Sequence, residues 1–255
     1  MHSSPIGPTG AAMAQPSPMP FSIVIQPFIN PPPDSEILIP NSVPMHLLLI
    51  HGLARTSLSL ALLDRRLRQA GYHPEHFSYF AFAEDFDAIA QRLHHRLQAV
   101  AHRGPYGIVG HSLGGVLTRA ALGLGHLPDL PRQVVMLGTP NQPPRLAPLA
   151  WKLWPFQWFT GQCGRYLTCG QFYAQLPLLP SPYTIVAGTG GPTGPLSPFG
   201  EDINDGVVAL SETYMTPQDT VVQVPVWHTF MMNHPQVQDI VVKALALTPS
   251  PSPRR

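Results

Sequence analysis

The sequence predicts an α/β fold, in which a mostly parallel central sheet is covered by helices on both faces. From residue 45 onward, short apolar runs alternate with amphipathic segments of helical periodicity. Parallel strands need long crossover connections, which are usually helices, so this alternation favours a parallel sheet. Ligands of such sheets bind outside the carboxyl ends of the strands, so functional residues are expected at those positions.

The strands are predicted from short apolar runs bounded by glycine, proline or polar residues. They are expected at residues 45–50, 76–82, 106–110, 132–140, 183–189 and 220–227. Apolar residues at helical spacing predict helices at residues 57–71, 83–104, 113–125 and 235–247. Gly71 provides a C-cap for the first of these helices. The second carries acidic residues in its first turn and basic residues in its last, as the helix dipole favours.

The two ends of the chain differ from its centre in composition. Eleven of the 32 prolines lie in the first 44 residues. Proline favours extended backbone, so residues 1–20 are expected to be disordered and residues 21–26 to form an edge strand. The proline-rich end at residues 248–255 is expected to be a second disordered tail. A single α/β domain is therefore predicted over residues 21–247.

Composition also limits the partners and cofactors to expect. A formal net charge of +1 with 11% charged residues gives no electrostatic case for nucleic acid or an anionic membrane. No signal-peptide pattern or apolar run of transmembrane length is evident, so a cytoplasmic location is expected. Two cysteines do not make a disulfide framework or a zinc site. His94, His95 and His102 fit a solvated helix face better than a metal site, and no metal or other cofactor is predicted.

Residues 141–181 interrupt the strand–helix alternation with a segment rich in tryptophan and phenylalanine. It contains Trp151, Trp154, Trp158, Phe156, Phe159 and Phe172. One interpretation is an apolar lid or acyl-binding wall, which could also touch a lipid surface transiently. The other is a pair of helices packed into the core, and the two are compatible. Cys163 and Cys169 lie here, either as unpaired small apolar residues or as a loop disulfide in an exported protein.

Ser112 is the first candidate functional residue. It lies between the predicted strand 106–110 and the predicted helix from residue 113, within Gly110-His111-Ser112-Leu113-Gly114. Glycines permit a sharp strand-to-helix turn, which exposes the hydroxyl at the positive end of the helix. A glycine-rich crossover with a capping serine is the alternative for the pentapeptide alone. Its context favours a nucleophile.

A serine nucleophile requires a base, and the base requires an acid that orients it. Asp205 lies in a loop after the strand 183–189, and His228 follows the strand 220–227. The order serine, aspartate, histidine therefore places each residue after a successive strand. Asp202 and His234 are the alternatives, although His234 precedes Pro235 and resembles a helix-start residue.

Backbone N–H groups can stabilise the oxyanion that forms during acyl transfer. One is expected from Leu113, directly after the nucleophile. The other is expected from the loop after the first strand, where Leu53 follows His51-Gly52 and Gly52 allows the backbone to turn.

Five motifs occur in one order over residues 44–247 and carry a family resemblance. They are LLLIHGL, GIVGHSLGG, VVMLGTPN, NDGVV and WHTFMMNHPQV. Together they resemble the α/β-hydrolase fold, and most closely its bacterial lipase and esterase branch. Related sequences often have glycine after GTPN, whereas this chain has Gln142-Pro143-Pro144, a departure that concerns the lid region and not Ser112, Asp205 or His228.

The resemblance implies Ser112 as nucleophile, His228 as base and Asp205 as acid, with Leu53 and Leu113 as oxyanion donors. It implies a serine hydrolase that cleaves carboxylic esters, with a small-molecule ester or lipid as substrate and without a metal or organic cofactor. The fold also allows a thioesterase, an amidase or an acyltransferase. A non-catalytic binding protein that kept the fold is the alternative from another class.

Overall fold

We analysed a computed structural model of the chain, in which residues 45–247 are described. Within these residues, six strands form one sheet in the spatial order β2-β1-β3-β4-β5-β6, and every neighbouring pair is parallel. The strands are β1 (His46–Ile50), β2 (His73–Phe77), β3 (Tyr106–His111), β4 (Val134–Leu137), β5 (Tyr183–Gly188) and β6 (Val221–Val224). The predicted α/β fold with a parallel central sheet is confirmed.

Helices cover both faces of this sheet. They are α1 (Ala61–Gln69), α2 (Phe86–Ala101), α3 (Leu113–Gly123), α4 (Leu146–Trp151), α5 (Trp154–Leu167), α6 (Gly170–Gln175), α7 (Leu210–Thr213) and α8 (Pro235–Ala246). Two 3-10 helices lie at Ser57–Leu60 and His228–Asn233. Helices α1 and α8 pack on one face, and α2 and α3 pack on the other.

The period of two in each strand divides the core into two layers. Leu47 and Leu49 of β1 face the layer that contains α1 and α8, whereas Leu48 and Ile50 face the layer that contains α2 and α3. All four side chains are at most 1% exposed. Burial on both faces explains why β1 reads as an uninterrupted apolar run rather than as an alternating one.

The strand predicted at residues 76–82 is wrong over most of its length. Strand β2 begins earlier, at His73, and pairs in register with β1 from His46 onward. It is an edge strand and therefore tolerates Pro74. The aromatic residues that follow leave the sheet, and the ring of Tyr79 stacks on His51 with 4.2 Å between ring centroids.

Other predicted elements are present with shorter bounds. The strand predicted at 220–227 ends at Val224, because Pro225 cannot donate a ladder hydrogen bond. The strand predicted at 132–140 ends at Leu137, where Gly138 takes a φ of 54°. The helix predicted from residue 83 starts at Phe86, and residues 57–60 form a 3-10 helix instead of the first turn of α1.

Helices α4, α5 and α6 occupy the predicted aromatic segment. Cys163 of α5 and Tyr173 of α6 are buried in the layer that contains α2, and Phe172 meets Phe86 edge-on with ring centroids 5.0 Å apart. These contacts fit the core-packed interpretation. The predicted aromatic wall rests mainly on Trp154, Phe156, Trp158 and Phe159, whose side chains lie outside the described part of the structure.

Both cysteines are unpaired thiols. Burial raises the pKa of Cys163 to about 12, so this thiol is not a nucleophile at neutral pH. Within residues 45–247, no helix combines the length and the apolar character that a membrane crossing requires. The segments predicted to be disordered at 1–20 and 248–255, and the edge strand predicted at 21–26, lie outside the described residues.

Candidate active site

Ser112 occupies a strained turn between β3 and α3. Its φ of 52° and ψ of −120° lie in a region that residues with a side chain rarely adopt. The turn is held because α3 starts directly against β1 and β4: a Cβ at Gly114 would collide with the carbonyl oxygen of Ile50, and one at Gly115 with the hydroxyl of Thr139. Such strain persists only where the surroundings fix it, and it is common at functional sites.

The structure brings the three side chains predicted from sequence into one hydrogen-bonded series. Nε2 of His228 lies 2.9 Å from Oγ of Ser112, and Nδ1 of His228 lies 2.7 Å from Oδ2 of Asp205. Because the carboxylate accepts from Nδ1–H, Nε2 is left as the acceptor for the serine hydroxyl. Asp205 is 1% exposed and His228 7% exposed, so the carboxylate and the imidazole are largely shielded from water.

Backbone hydrogen bonds fix the carboxylate of Asp205. Its Oδ1 accepts from the N–H groups of Val207 at 3.0 Å and Val208 at 2.8 Å. The N–H of His228 donates to the carbonyl of Asp205 at 2.9 Å, which ties the two segments together by their backbones as well. Oδ2 is therefore the oxygen that faces His228.

The alternative acid and base lie elsewhere. Asp202 is half exposed, and its carboxylate pairs with Arg145 at 2.7 Å. His234 precedes the first residue of α8, and its backbone N–H donates to Met231 at 3.1 Å. The geometry therefore favours Asp205 and His228 over both alternatives.

The two predicted oxyanion donors, Leu53 and Leu113, belong to segments next to Ser112. Leu113 is the first residue of α3, where backbone N–H groups have no partner within the helix. Leu53 lines the same cavity as Ser112. Within residues 45–247, neither N–H group donates to a protein acceptor. Both groups are thus available to an oxygen bound near the serine.

His111 is a further residue of the site. In the sequence it was noted only as part of the motif around Ser112. It is 1% exposed, and its Nε2–H donates to the backbone carbonyl of His228 at 3.1 Å. Burial, reinforced by the nearby His228, holds the pKa of His111 well below its ordinary value. His111 is therefore a neutral donor that fixes the backbone of His228. Its position beside Ser112 was the signal available in the sequence.

His51 has a comparable role at the end of β1. Its Nδ1–H donates to the carbonyl oxygen of Gly52 at 2.9 Å, and its backbone carbonyl accepts from the hydroxyl of Tyr79 at 2.8 Å. Burial lowers the pKa of His51, which keeps the ring neutral. Because the carbonyl of Gly52 and the N–H of Leu53 belong to one peptide plane, this bond orients that N–H group.

A cavity of about 510 Å³ opens beside Ser112. Its lining is largely apolar and comes from the loop after β1, from α4 and α5, and from the loop before α7. The apolar residues are Leu53, Ala54, Pro140, Pro144, Leu146, Ala147, Ala150, Leu167, Val207 and Val208. Cavities of this size bury small organic ligands. Within residues 45–247, no group of three or more His, Cys, Asp or Glu side chains is arranged to hold a metal ion.

Fold and site together define an α/β protein with a serine at a strand-to-helix turn and a histidine and aspartate in series behind it. The chain belongs to the alpha/beta hydrolase family, whose sequence profile matches residues 47–244. The match spans every strand of the sheet except the first residue of β1.

Solved structures with the same fold include lipases and esterases. The mature form of the lipase BlEst2 from Bacillus licheniformis aligns with a TM-score of 0.67 and 21% identity, over 81% of this chain and 94% of that one. The esterase EaEST from Exiguobacterium antarcticum aligns with a TM-score of 0.58 and 13% identity, over 79% of this chain and 91% of that one. At such identities the likeness concerns the fold. A search of curated protein sequences found no significant match.

Proposed function

We propose that the protein is a serine hydrolase that cleaves carboxylic esters through an acyl-enzyme on Ser112. The observation that carries this proposal is the series of hydrogen bonds from Oγ of Ser112 through the ring of His228 to Asp205. A serine hydroxyl is a weak nucleophile, and a base within hydrogen-bond distance activates it.

In the first half of the reaction, His228 accepts the proton of Ser112 as Oγ bonds to the ester carbonyl carbon. The oxyanion is held by the N–H groups of Leu53 and Leu113. The bond to the alcohol oxygen then breaks, and His228 transfers its proton to that oxygen. Asp205 keeps the imidazole oriented and stabilises its charged form while the proton resides on it.

In the second half, water donates a proton to His228 and attacks the acyl carbon. The bond to Oγ breaks, the carboxylic acid leaves, and Ser112 regains its proton. The apolar lining of the cavity supports an ester with an apolar acyl chain. The lipases and esterases among the structural neighbours agree with ester cleavage as the reaction.

A fluorophosphonate probe tests the nucleophile directly, because it reacts with activated serines. We expect the wild-type protein to be labelled and to hydrolyse 4-nitrophenyl butyrate, and Ser112→Ala to do neither. Ser59→Ala is the matched control, since Ser59 bonds to the carbonyl of Thr56, outside the cavity lining. Equal labelling of wild type and Ser112→Ala, or no labelling of the wild type, would refute the proposal.

A further inference from the structure

Arg55 lies two residues beyond Leu53, in the loop after β1. Its side chain lines the cavity together with Ser112 and His228. One of its terminal nitrogens donates to the backbone carbonyl of Thr229 at 2.8 Å. A guanidinium carries five N–H donors, so a single bond leaves most of them available for another partner.

No carboxylate neutralises Arg55 within residues 45–247. The described residues that line the cavity include neither aspartate nor glutamate. By contrast, Arg66 pairs with Asp239 at 3.0 Å and Arg68 with Asp64 at 2.6 Å. A cation facing an apolar cavity without an acidic neighbour is arranged to receive an anion from outside the protein.

The other basic groups of the cavity do not compete for this anion. His111 stays neutral because it is buried, and Arg55 itself contributes to lowering the pKa of that ring. Nδ1 of His228 bonds to Asp205 and its Nε2 to Ser112. Arg55 is therefore the one permanently charged side chain among the described residues that line the cavity.

Exposure indicates which half of an ester would meet Arg55. Ala147 of α4 and Thr160 and Leu167 of α5 line the cavity and are buried. Arg55 is half-buried, and its neighbours Ala54 and Thr229 are exposed. An apolar acyl chain belongs against the buried side chains of α4 and α5, so the alcohol half of the ester lies towards the more exposed residues around Arg55.

We infer that the enzyme selects esters whose alcohol half carries an anionic group, and that Arg55 binds that group. The inference rests on the proposed function, which it extends from esters in general to a substrate class. Carboxylate and phosphate share the relevant chemistry, since each can accept two parallel bonds from a guanidinium.

The experiment compares two esters with the same acyl chain, 4-(butanoyloxy)benzoate and 4-(butanoyloxy)benzamide, of which only the first has an anionic leaving group. The measured quantity is the ratio of their kcat/KM values in each variant. We expect Arg55→Gln to lower this ratio about five- to tenfold, mainly through KM of the anionic ester. Arg55→Lys should retain part of the preference, and high salt should weaken it in the wild type.

The ratio separates binding of the anion from indirect damage to the site. Loss of the bond to Thr229 would slow both esters equally and leave the ratio unchanged, a result that would overturn the inference while leaving the proposed function intact. Arg65→Gln is the matched control, because Arg65 is an exposed arginine of α1 outside the cavity lining. Failure of the wild type to hydrolyse either ester would instead overturn the proposed function and this inference with it.

Discussion

The cavity has two walls that are built in different ways. At the carboxyl edge of the sheet, Ser112, His228 and Asp205 are held by directional hydrogen bonds to one another and to the backbone. The other wall, formed by α4 and α5, contributes apolar side chains such as Leu146 and Ala150. Hydrogen bonds weaken steeply with distance and angle, whereas apolar contacts are non-directional. The sheet-edge wall therefore suits chemistry, and the helical wall suits a choice among acyl chains.

The largest expected effect concerns the acid at the sheet edge. Asp205→Asn keeps the shape of the side chain but allows its amide to donate to Nδ1, which favours the wrong tautomer of His228. We expect kcat for ester hydrolysis to fall by about 10⁴-fold. Steady-state kinetics on 4-nitrophenyl butyrate measures it.

The matched control is Asp202→Asn, three residues earlier in the same loop. Asp202 forms an exposed ion pair with Arg145, and such pairs contribute at most about 1 kcal/mol to stability. Turnover should remain close to that of the wild type. Equal losses in the two variants would leave Asp205 without the proposed role.

The side chains at the carboxyl edge of the sheet could be proposed from the sequence because the order of the strands brings the loops that carry them to one edge. Ser112, Asp205 and His228 each follow a strand, and the carboxyl ends of parallel strands share one edge. The roles of His111 and Arg55 could not be predicted in this way. Each depends on a backbone carbonyl far along the chain, since 117 residues separate His111 from His228 and 174 separate Arg55 from Thr229.

For the helical wall, the sequence predicted the kind of contact but not which residues make it. Its composition predicted apolar contacts, but aromatic residues at helical spacing do not reveal which of them face a cavity and which face the core. Phe172 and Cys163 face the core. The bounds of the edge strand β2 were predicted wrongly for a related reason. His73 and Pro74 have low strand propensity, and they join the sheet because they pair with β1.

A second prediction tests whether His111 acts by positioning His228. His111→Phe removes the donor to the carbonyl of His228 while filling a similar volume. A small displacement of a reacting group can cost up to about 100-fold in rate, so we expect kcat to fall ten- to hundredfold. His111→Gln can supply an N–H donor at a similar distance and should recover much of this loss.

The readout is kcat against KM, together with the rate of fluorophosphonate labelling of Ser112. A positioning role predicts that kcat and the labelling rate fall in parallel with little change in KM. If His111→Phe folds, shows an unchanged labelling rate and differs only in thermal stability, then the bond to His228 has no part in the reaction.

The smallest expected effect concerns the helical wall. Ala150→Phe adds a ring at the lining of the cavity and should leave the reaction at Ser112 unchanged for short esters. Octanoyl esters should lose about fivefold in kcat/KM relative to acetyl esters, because the added volume occupies the space of the longer chain.

Leu149→Phe is the matched control on the same helix, since Leu149 is exposed and does not line the cavity. A wild-type enzyme restricted to acetyl esters would show that this wall does not bind acyl chains. An equal loss of kcat on both esters in Ala150→Phe would mean that the two walls do not divide chemistry from selection, because a change confined to the helical wall would have disturbed the serine itself.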